Sequence, residues 1–306
     1  MRRNERGAGA RRIGHDGAVA LAFHRYDDVE AFLAATGGFL GAREAEHNLL
    51  LGISSQVRSF PDLFEERPSF AAVTDVEGRV VAATLRTPPW NQVLSEVDDA
   101  AAVDLLAEAL AEEQLPGVIG PSEVAARFAE VWTRRTGARW VLDVAERIFR
   151  LERVVPPARP AEGSWRLAEP RDRELVADWL HRFAEEATPN QPVPADGLTI
   201  ADRWIARQYR TLYLWEVGDR VVSLVGAGGV TPNGMRIGPV YTPPDERGRG
   251  YASSLTAAAS QDQLDAGRRF VFLFTDLSNP TSNKIYQAIG YEPVRDVDVY
   301  RFEADA

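Results

Sequence analysis

The 306-residue sequence predicts an α/β fold with mixed sheets, arranged as two domains in tandem. Segments with strand-like and helix-like apolar periodicity alternate along the chain. A stretch rich in proline and small residues lies near the middle, at 155–163. Short sequences also recur in the same order in the two halves: Gly78-Arg79-Val80-Val81 with Asp219-Arg220-Val221-Val222, Thr87-Pro88-Pro89 with Thr242-Pro243-Pro244, and Arg150-Leu151-Glu152 with Arg301-Phe302-Glu303.

These observations divide the chain into four parts. We expect a flexible basic tail at 1–17, a first domain at 18–154, a linker at 155–163 and a second domain at 164–306. The three matches favour duplication of one unit over two unrelated domains.

Composition excludes several classes of site. The chain has no cysteine, which rules out disulfides, thiolate zinc sites and a cysteine acyl-enzyme. Its four histidines lack the spacing of metal ligands, so we expect no metal. A net charge of -10 argues against nucleic-acid binding. No apolar run reaches the roughly 20 residues of a membrane helix, and no secretory signal is recognisable, so we expect a cytoplasmic protein without a membrane partner.

The first domain is expected to keep the architecture of the second but to lack its pyrophosphate site, and to serve as a packing partner or as one wall of the substrate groove. Its last long helix opens with Ser95-Glu96-Val97-Asp98-Asp99, where three carboxylates suit the helix dipole but would repel a pyrophosphate. The expected elements are helices at 27–36 and 42–55, strands near 70–73 and 79–86, and a helix at 97–112.

The second domain contains a phosphate-binding pattern. The run Arg247-Gly248-Arg249-Gly250-Tyr251-Ala252 lies between a strand-like segment and an alanine-rich helix. A strand that turns through glycines into a helix directs unpaired N–H groups and the positive end of the helix dipole to one spot. The expected elements are strands at 164–167, 212–216, 221–226, 235–241 and 270–275, and helices at 172–186 and 199–209 and after residue 250.

A short helix with clear start and stop signals follows. Asn279 is a good N-cap, Pro280 fits the first helical position, and Gly290 can adopt the left-handed terminating conformation. The helix places Tyr286 at the edge of its apolar face.

Together, the glycine loop and the segment 279–291 resemble two motifs of the GNAT N-acetyltransferase superfamily, in the family's order. The resemblance covers residues 164–304. It implies two tandem GNAT-like units, the first degenerate, each a mostly antiparallel twisted sheet flanked by helices. It also implies acetyl-CoA as co-substrate.

The resemblance implies the site residues as well. The strand before the loop would part from its neighbour, and Gly238-Pro239 makes an interruption of pairing reasonable there. Tyr286 would be the general acid, because a phenol is protonated at neutral pH. No carboxylate lies between residues 235 and 241, which leaves Glu216, Asp276 or a water relay as the base. The cofactor would contact Val240, Tyr241 and Thr242 along pantetheine, Arg247, Gly248, Arg249, Gly250, Tyr251, Ala252 and Ser253 at the pyrophosphate, and Asn279, Ser282 and Tyr286.

The expected function is direct acetyl transfer from acetyl-CoA to the primary amine of a small molecule. Two alternatives stay open: a tandem acetyltransferase that makes a thiol cofactor, as mycothiol synthase does, and a non-catalytic module that senses acyl-CoA. The resemblance also allows a homodimer.

Overall fold

The computed structural model describes residues 12–13, 20–190 and 196–303. The predicted tail at 1–17 lies outside these residues apart from 12–13. The elements of the first half are β1 (Arg12–Ile13), β2 (Leu21–Tyr26), α1 (Val29–Ala42), α2 (Asn48–Ser59), β3 (Ser69–Thr74), β4 (Val80–Arg86), β5 (Gln92–Leu94), α3 (Ala100–Ala109), β6 (Gly117–Pro121), α4 (Ser122–Thr136) and β7 (Arg139–Leu151). Those of the second half are β8 (Ser164–Leu167), α5 (Arg173–Ala187), α6 (Gly197–Ile205), β9 (Arg210–Val217), β10 (Arg220–Gly228), β11 (Gly234–Tyr241), α7 (Tyr251–Asp265), β12 (Phe270–Asp276), α8 (Pro280–Ala288) and β13 (Glu292–Glu303).

The chain forms two compact units that interleave in sequence. Unit 1 comprises 1–50, 57–145 and 296–306, and unit 2 comprises 51–56 and 146–295. Strands β7 and β13 each contribute one part to unit 1 and the other part to unit 2. The predicted linker at 155–163 falls inside unit 2, and its role as a domain boundary stays a prediction.

Unit 1 contains a mixed sheet with the strand order β1-β2-β3-β4-β5-β6-β13-β7. Strands β5 and β6 are parallel, with Val93 opposite Ile119, and α3 connects them. Their neighbours β4 and β13 pair antiparallel to them. Helices α3 and α4 cover one face through an apolar core that includes Leu106, Phe128 and Trp132. This core belongs to unit 1 and contains no residue of the predicted site.

Unit 2 has the strand order β7-β12-β11-β10-β9-β8. Strands β11 and β12 are parallel and connected by α7, whereas β7–β12, β10–β11, β9–β10 and β8–β9 are antiparallel. One face packs on α7 and α8, and on the opposite face α5 and α6 pack against β9, β10 and β11. Leu273 and Phe272, which alternate between the two faces of β12, are both buried, as the apolar sequence of this strand predicts. The first core includes Phe149, Leu255, Leu273 and Ile289, and the second includes Val176, Trp179, Leu214 and Leu224.

Several observed helix boundaries differ from the predicted ones. Helix α1 continues to Ala42 and α2 begins only at Asn48, whose side-chain amide donates to the carbonyl of Ala45 at 2.7 Å. This local bond favours a turn at 43–47, where the sequence pattern had continued a helix. Helix α6 ends at Ile205, before the predicted end at 209. Among the described residues, none of the helices combines the length and the apolar character needed to cross a membrane.

Candidate acetyl-CoA site

Strands β11 and β12 separate part of the way along their length. They are paired only at Gly234 with Phe270, Met235 with Val271 and Arg236 with Phe272. Beyond Arg236, β11 keeps its pairing with β10 through a bulge formed by Gly238 and Pro239 opposite Gly226, and β12 keeps its pairing with β7. The opening expected near Gly238-Pro239 is therefore present as a split between two central strands.

The glycine loop connects the open end of β11 to α7. Gly248 and Gly250 have φ angles of 78° and 83°, in the left-handed region that favours glycine. Helix α7 begins at Tyr251, and no side chain caps its N-terminus. The N–H groups of the first turn and the positive end of the helix dipole are thus left for an external anion.

Both arginines of the loop already have carboxylate partners. Arg247 donates to the carbonyl of Thr242 at 2.8 Å and to Glu186 at 2.6 Å. Arg249 donates to Glu246 at 2.8 Å, and Glu246 also pairs with Arg220 at 2.7 Å. To reach a pyrophosphate, either guanidinium would have to exchange a carboxylate for a phosphate. Among the described residues, no carboxylate side chain accepts from the main-chain N–H groups at the start of α7.

Helix α8 holds the predicted acid beside the same core. The side chain of Asn279 accepts from the N–H of Ser282 at 3.1 Å, which confirms the predicted cap. Tyr286 is 8% exposed and packs edge to face on Tyr291, with 6.0 Å between ring centroids. Burial raises the pKa of Tyr286 to about 12, so the phenol keeps its proton at neutral pH.

The two carboxylates suggested as bases have other partners. Glu216 lies on β9, which β10 separates from the split, and accepts from Nε of Arg166 at 2.7 Å. The same guanidinium forms a bidentate pair with Asp172, at 2.6 and 2.8 Å. Asp276 ends β12, and its two carboxylate oxygens accept from the N–H and the hydroxyl of Ser278 at 2.7 and 2.8 Å. This geometry favours structural roles for both residues.

A third carboxylate, overlooked in the sequence, faces this region. Glu146 lies on β7 directly opposite Asp276. Burial, and next the charge of Asp276, raises the pKa of Glu146 to about 7, while the charge of Arg236 opposes the rise. Residue 146 lies within the first domain predicted from the sequence, outside the predicted site. The one available signal was a glutamate within a strand-like, largely apolar segment.

Acid and base candidates lie on opposite faces of the sheet. Phe149 of β7 belongs to the core under α7 and α8, together with Tyr286. Because side chains alternate along a strand, Glu146 points to the other face. Glu146 lies on β7, the neighbour of the split strand β12, and Tyr286 lies in the core on the other face of the sheet. In the part of the chain that the structure describes, no group of three or more His, Asp or Glu side chains is arranged to hold a metal ion.

The sequence of this region matches a known family. Residues 174–291 match the model of the acetyltransferase (GNAT) family. The segment is thus similar to a GNAT acetyltransferase domain. The matched segment runs from α5 to Tyr291, so it contains the split, the glycine loop and Tyr286 but not Glu146.

Solved structures share the fold at low sequence identity. A protein of Drosophila malonogaster aligns over 98% of this chain and 100% of its own, at 16% identity and a TM-score of 0.65. A GCN5-related N-acetyltransferase from Sphaerobacter thermophilus aligns over 92% and 95%, at 16% identity and a TM-score of 0.56. A tandem GNAT protein of the clavulanic acid biosynthesis pathway, solved without AcCoA, aligns over 93% and 98%, at 15% identity and a TM-score of 0.55. No curated protein matches the chain by sequence. The likeness therefore establishes the fold, and the chemistry has to be argued from the residues.

Proposed function

We propose that the protein is an acetyl-CoA-dependent N-acetyltransferase that transfers acetyl directly to the primary amine of a small molecule. The observation that carries this proposal is the split between β11 and β12, which leads into a glycine loop and an uncapped α7. An open pair of strand edges can receive a pantetheine arm, and the helix N-terminus suits a pyrophosphate.

The chain's main-chain groups account for most of the proposed cofactor binding. The N–H groups of 248–253 would bind the pyrophosphate, and the backbone of 240–242 would contact pantetheine. Ser223 donates to the carbonyl of Tyr241 at 3.1 Å, and Arg247 donates to that of Thr242, so two of these carbonyls are already fixed in position. When bound, acetyl-CoA supplies an acetyl thioester as the electrophile. The protein would hold the thioester between acid and base.

Proton transfers can then be assigned to this chain's own residues. The amine nitrogen attacks the thioester carbon, a C–N bond forms and the C–S bond breaks. Glu146 takes the proton from the attacking nitrogen, because a carboxylate with a pKa of about 7 is partly ionised near neutral pH and, once ionised, is more basic than an ordinary carboxylate. Tyr286 gives its proton to the departing thiolate. The negative charge of the thiolate is thereby removed on the face of the sheet opposite to the base.

The two alternative functions would use some of the same residues. A mycothiol-synthase-like acetyltransferase would use the same split, loop and acid, and would differ only in its acceptor. A non-catalytic acyl-CoA sensor would need the loop but neither proton-transfer group. The raised pKa of Glu146, close to neutral pH, favours catalysis over sensing.

The direct test is a panel of primary amines incubated with acetyl-CoA while free thiol is followed. We expect thiol release with at least one amine class, together with a mass increase of one acetyl group on the amine. Tight acetyl-CoA binding without release from any amine would reject the transferase and favour the sensor. Absence of acetyl-CoA binding would reject both.

A further inference from the structure

Two largely buried arginines lie where β11 and β12 part. Arg236 is the last residue of β11 that is in register with β12. Arg210, at the start of β9, donates from Nη1 to the carbonyl of Gly238, which lies on the separated part of β11. Strand alternation places both guanidinium groups on the face that carries Glu146. They therefore lie on the base's side of the proposed thioester position.

Glycines make room for both side chains. A Cβ on Gly226 would stand 3.1 Å from Cδ of Arg210, and a Cβ on Gly228 would stand 3.2 Å from its Cγ. A Cβ on Gly229 would stand 3.1 Å from Nη2 of Arg236. Side chains at these positions would crowd both arginines, so the end of β10 is built to accommodate the pair.

The positive charge of the pair is poorly compensated. Burial lowers the pKa of Arg210 to about 9, with a further contribution from the charge of Arg236, and burial lowers the pKa of Arg236 to about 10. Nε of Arg210 and Nη1 of Arg236 are buried without a hydrogen-bond partner. Within the described part of the chain, neither arginine forms an ion pair within 4.0 Å with a carboxylate.

The remaining interactions of the pair are weaker. The Trp204 ring lies 4.6 Å from Cζ of Arg210, and Glu146 acts on Arg236 through its charge. Glu146 is only partly ionised near neutral pH. Buried cations without a full counter-charge destabilise a protein, which points to an anion from outside.

We propose that Arg210 and Arg236 bind a carboxylate of the acceptor, so that the substrate is an amine that also carries a carboxylate. A planar carboxylate can accept two parallel N–H bonds from a guanidinium, and it would satisfy the unpartnered donors. Held in this way, the acceptor would enter on the face where Glu146 can take its proton. The inference rests on the proposed acetyl transfer, because it names the acceptor of that reaction.

The test compares amino acids with their own C-terminal amides as acceptors, at saturating acetyl-CoA. The two members of each pair differ in charge and are similar in shape. We expect the native protein to prefer the acids by about 10- to 100-fold in kcat/KM, mainly through KM, since hydrogen bonds to charged groups contribute about 1.5–3 kcal/mol. Arg236→Gln should bring the ratio of kcat/KM for acid over amide close to one, and that ratio is the readout because any change in the pKa of Glu146 acts on both members of a pair alike.

Matched variants separate recognition from a structural role. Arg150→Gln is the control. Arg150 of β7 lies opposite Phe272 of β12, but unlike Arg236 it has a carboxylate partner, Glu152, at 3.0 Å. It should keep the preference for acids. Arg236→Lys should restore part of it. If Arg236→Gln does not fold, Arg210→Met provides the second variant, because it keeps an apolar side chain beside Trp204.

Each outcome decides one of the two proposals. Equal turnover of acids and amides would overturn the carboxylate subsite and leave acetyl transfer standing, as would a preference for phosphorylated amines over both. Absence of turnover with every acceptor, despite acetyl-CoA binding, would overturn acetyl transfer. In that case calorimetry would still test the carboxylate subsite. Binding of the amino acids to the native protein, lost in Arg236→Gln, would support the subsite, and absence of binding to the native protein would overturn it.

Discussion

Both units contain a strand-to-helix junction of the same topology, but the N-terminus of the helix is capped by a side chain in unit 1 and uncapped in unit 2. In each, a strand that is antiparallel to one neighbour and parallel to the other leads into a helix, through β5 and α3 in unit 1 and through β11 and α7 in unit 2. The side chain of Asp99 caps α3 by accepting from the N–H of Ala101 at 2.9 Å, and Asp98 pairs with Arg43 at 3.0 Å. Helix α7 begins at two left-handed glycines without a side-chain cap.

The parallel strands at these junctions also differ. In unit 1 a Cβ on Gly120 would stand 2.9 Å from Cβ of Leu94, so β5 and β6 stay close up to the end of β5. In unit 2, β11 and β12 separate after Arg236. The same topology therefore does not by itself create a cofactor site. The first residues of the helix and the spacing of two strands decide whether an external anion has a place.

The largest expected effect comes from closing the open junction. Gly248→Val introduces a branched side chain at a φ of 78°, and Gly267→Val does so at 91° just after α7. Neither glycine has a neighbour within 4 Å of its Cβ position, so both variants should lose similar stability, about 1–2 kcal/mol. Only Gly248→Val should abolish the rise in melting temperature caused by acetyl-CoA. A loss of that rise in both variants, or in neither, would refute the loop assignment.

The next largest effect distinguishes Glu146 from Glu216 as the general base. Glu146→Gln should lower kcat by about 10²- to 10⁴-fold, because general-base catalysis contributes that much. In the native protein kcat should rise with pH through about 7, as Glu146 loses its proton, and this limb should vanish in the variant. Glu216→Gln is the control and should change mainly stability, since Glu216 is bonded to Arg166. The reverse pattern would make Glu216 the base.

A stability measurement checks Glu146 without relying on turnover. Its pKa is raised from 4.5 to about 7 in the folded protein, so the folded state holds the proton more tightly than the unfolded state. The contribution of this group to stability therefore falls as pH rises from about 4.5 to about 7, and stays constant above that range. The melting temperature of Glu146→Gln relative to the native protein should increase between about pH 5 and about pH 8. A flat difference would show that Glu146 is not perturbed.

A smaller effect is expected at the acid. Tyr286→Phe should lower kcat by about 10²-fold while leaving acetyl-CoA affinity unchanged, because only the proton for the thiolate is removed. Tyr291→Phe is the matched control: it loses the 2.8 Å bond to Ser260 and should lower stability with little change in kcat. Unchanged turnover in Tyr286→Phe would remove Tyr286 from the mechanism.

The smallest effect concerns the filled junction of unit 1. Asp99→Ala removes the cap of α3 and should cost about 1 kcal/mol of the free energy of unfolding, measured by chemical denaturation. Acetyl-CoA affinity should not change. A weaker affinity in this variant would show that α3 takes part in binding the co-substrate.

Local sequence signals predicted much of unit 2. The bounds of β8 are those observed, and the glycine loop and the cap at Asn279 follow from residues close together in the chain. Partners from distant segments were not predictable in this way. The pairing of Glu146 with Asp276 requires β7 to join the sheet of unit 2, and Arg247 meets Glu186 from α5. The arginine pair depends on glycines of a neighbouring strand, which a linear pattern does not reveal.

The central claim is that the uncapped junction of unit 2 holds the co-substrate and the capped junction of unit 1 does not. Calorimetric titration of the full chain with acetyl-CoA measures this difference. We expect one acetyl-CoA site per chain, lost in Gly248→Val and retained in Gly267→Val and Asp99→Ala. Two sites per chain, or one site that survives Gly248→Val, would contradict it.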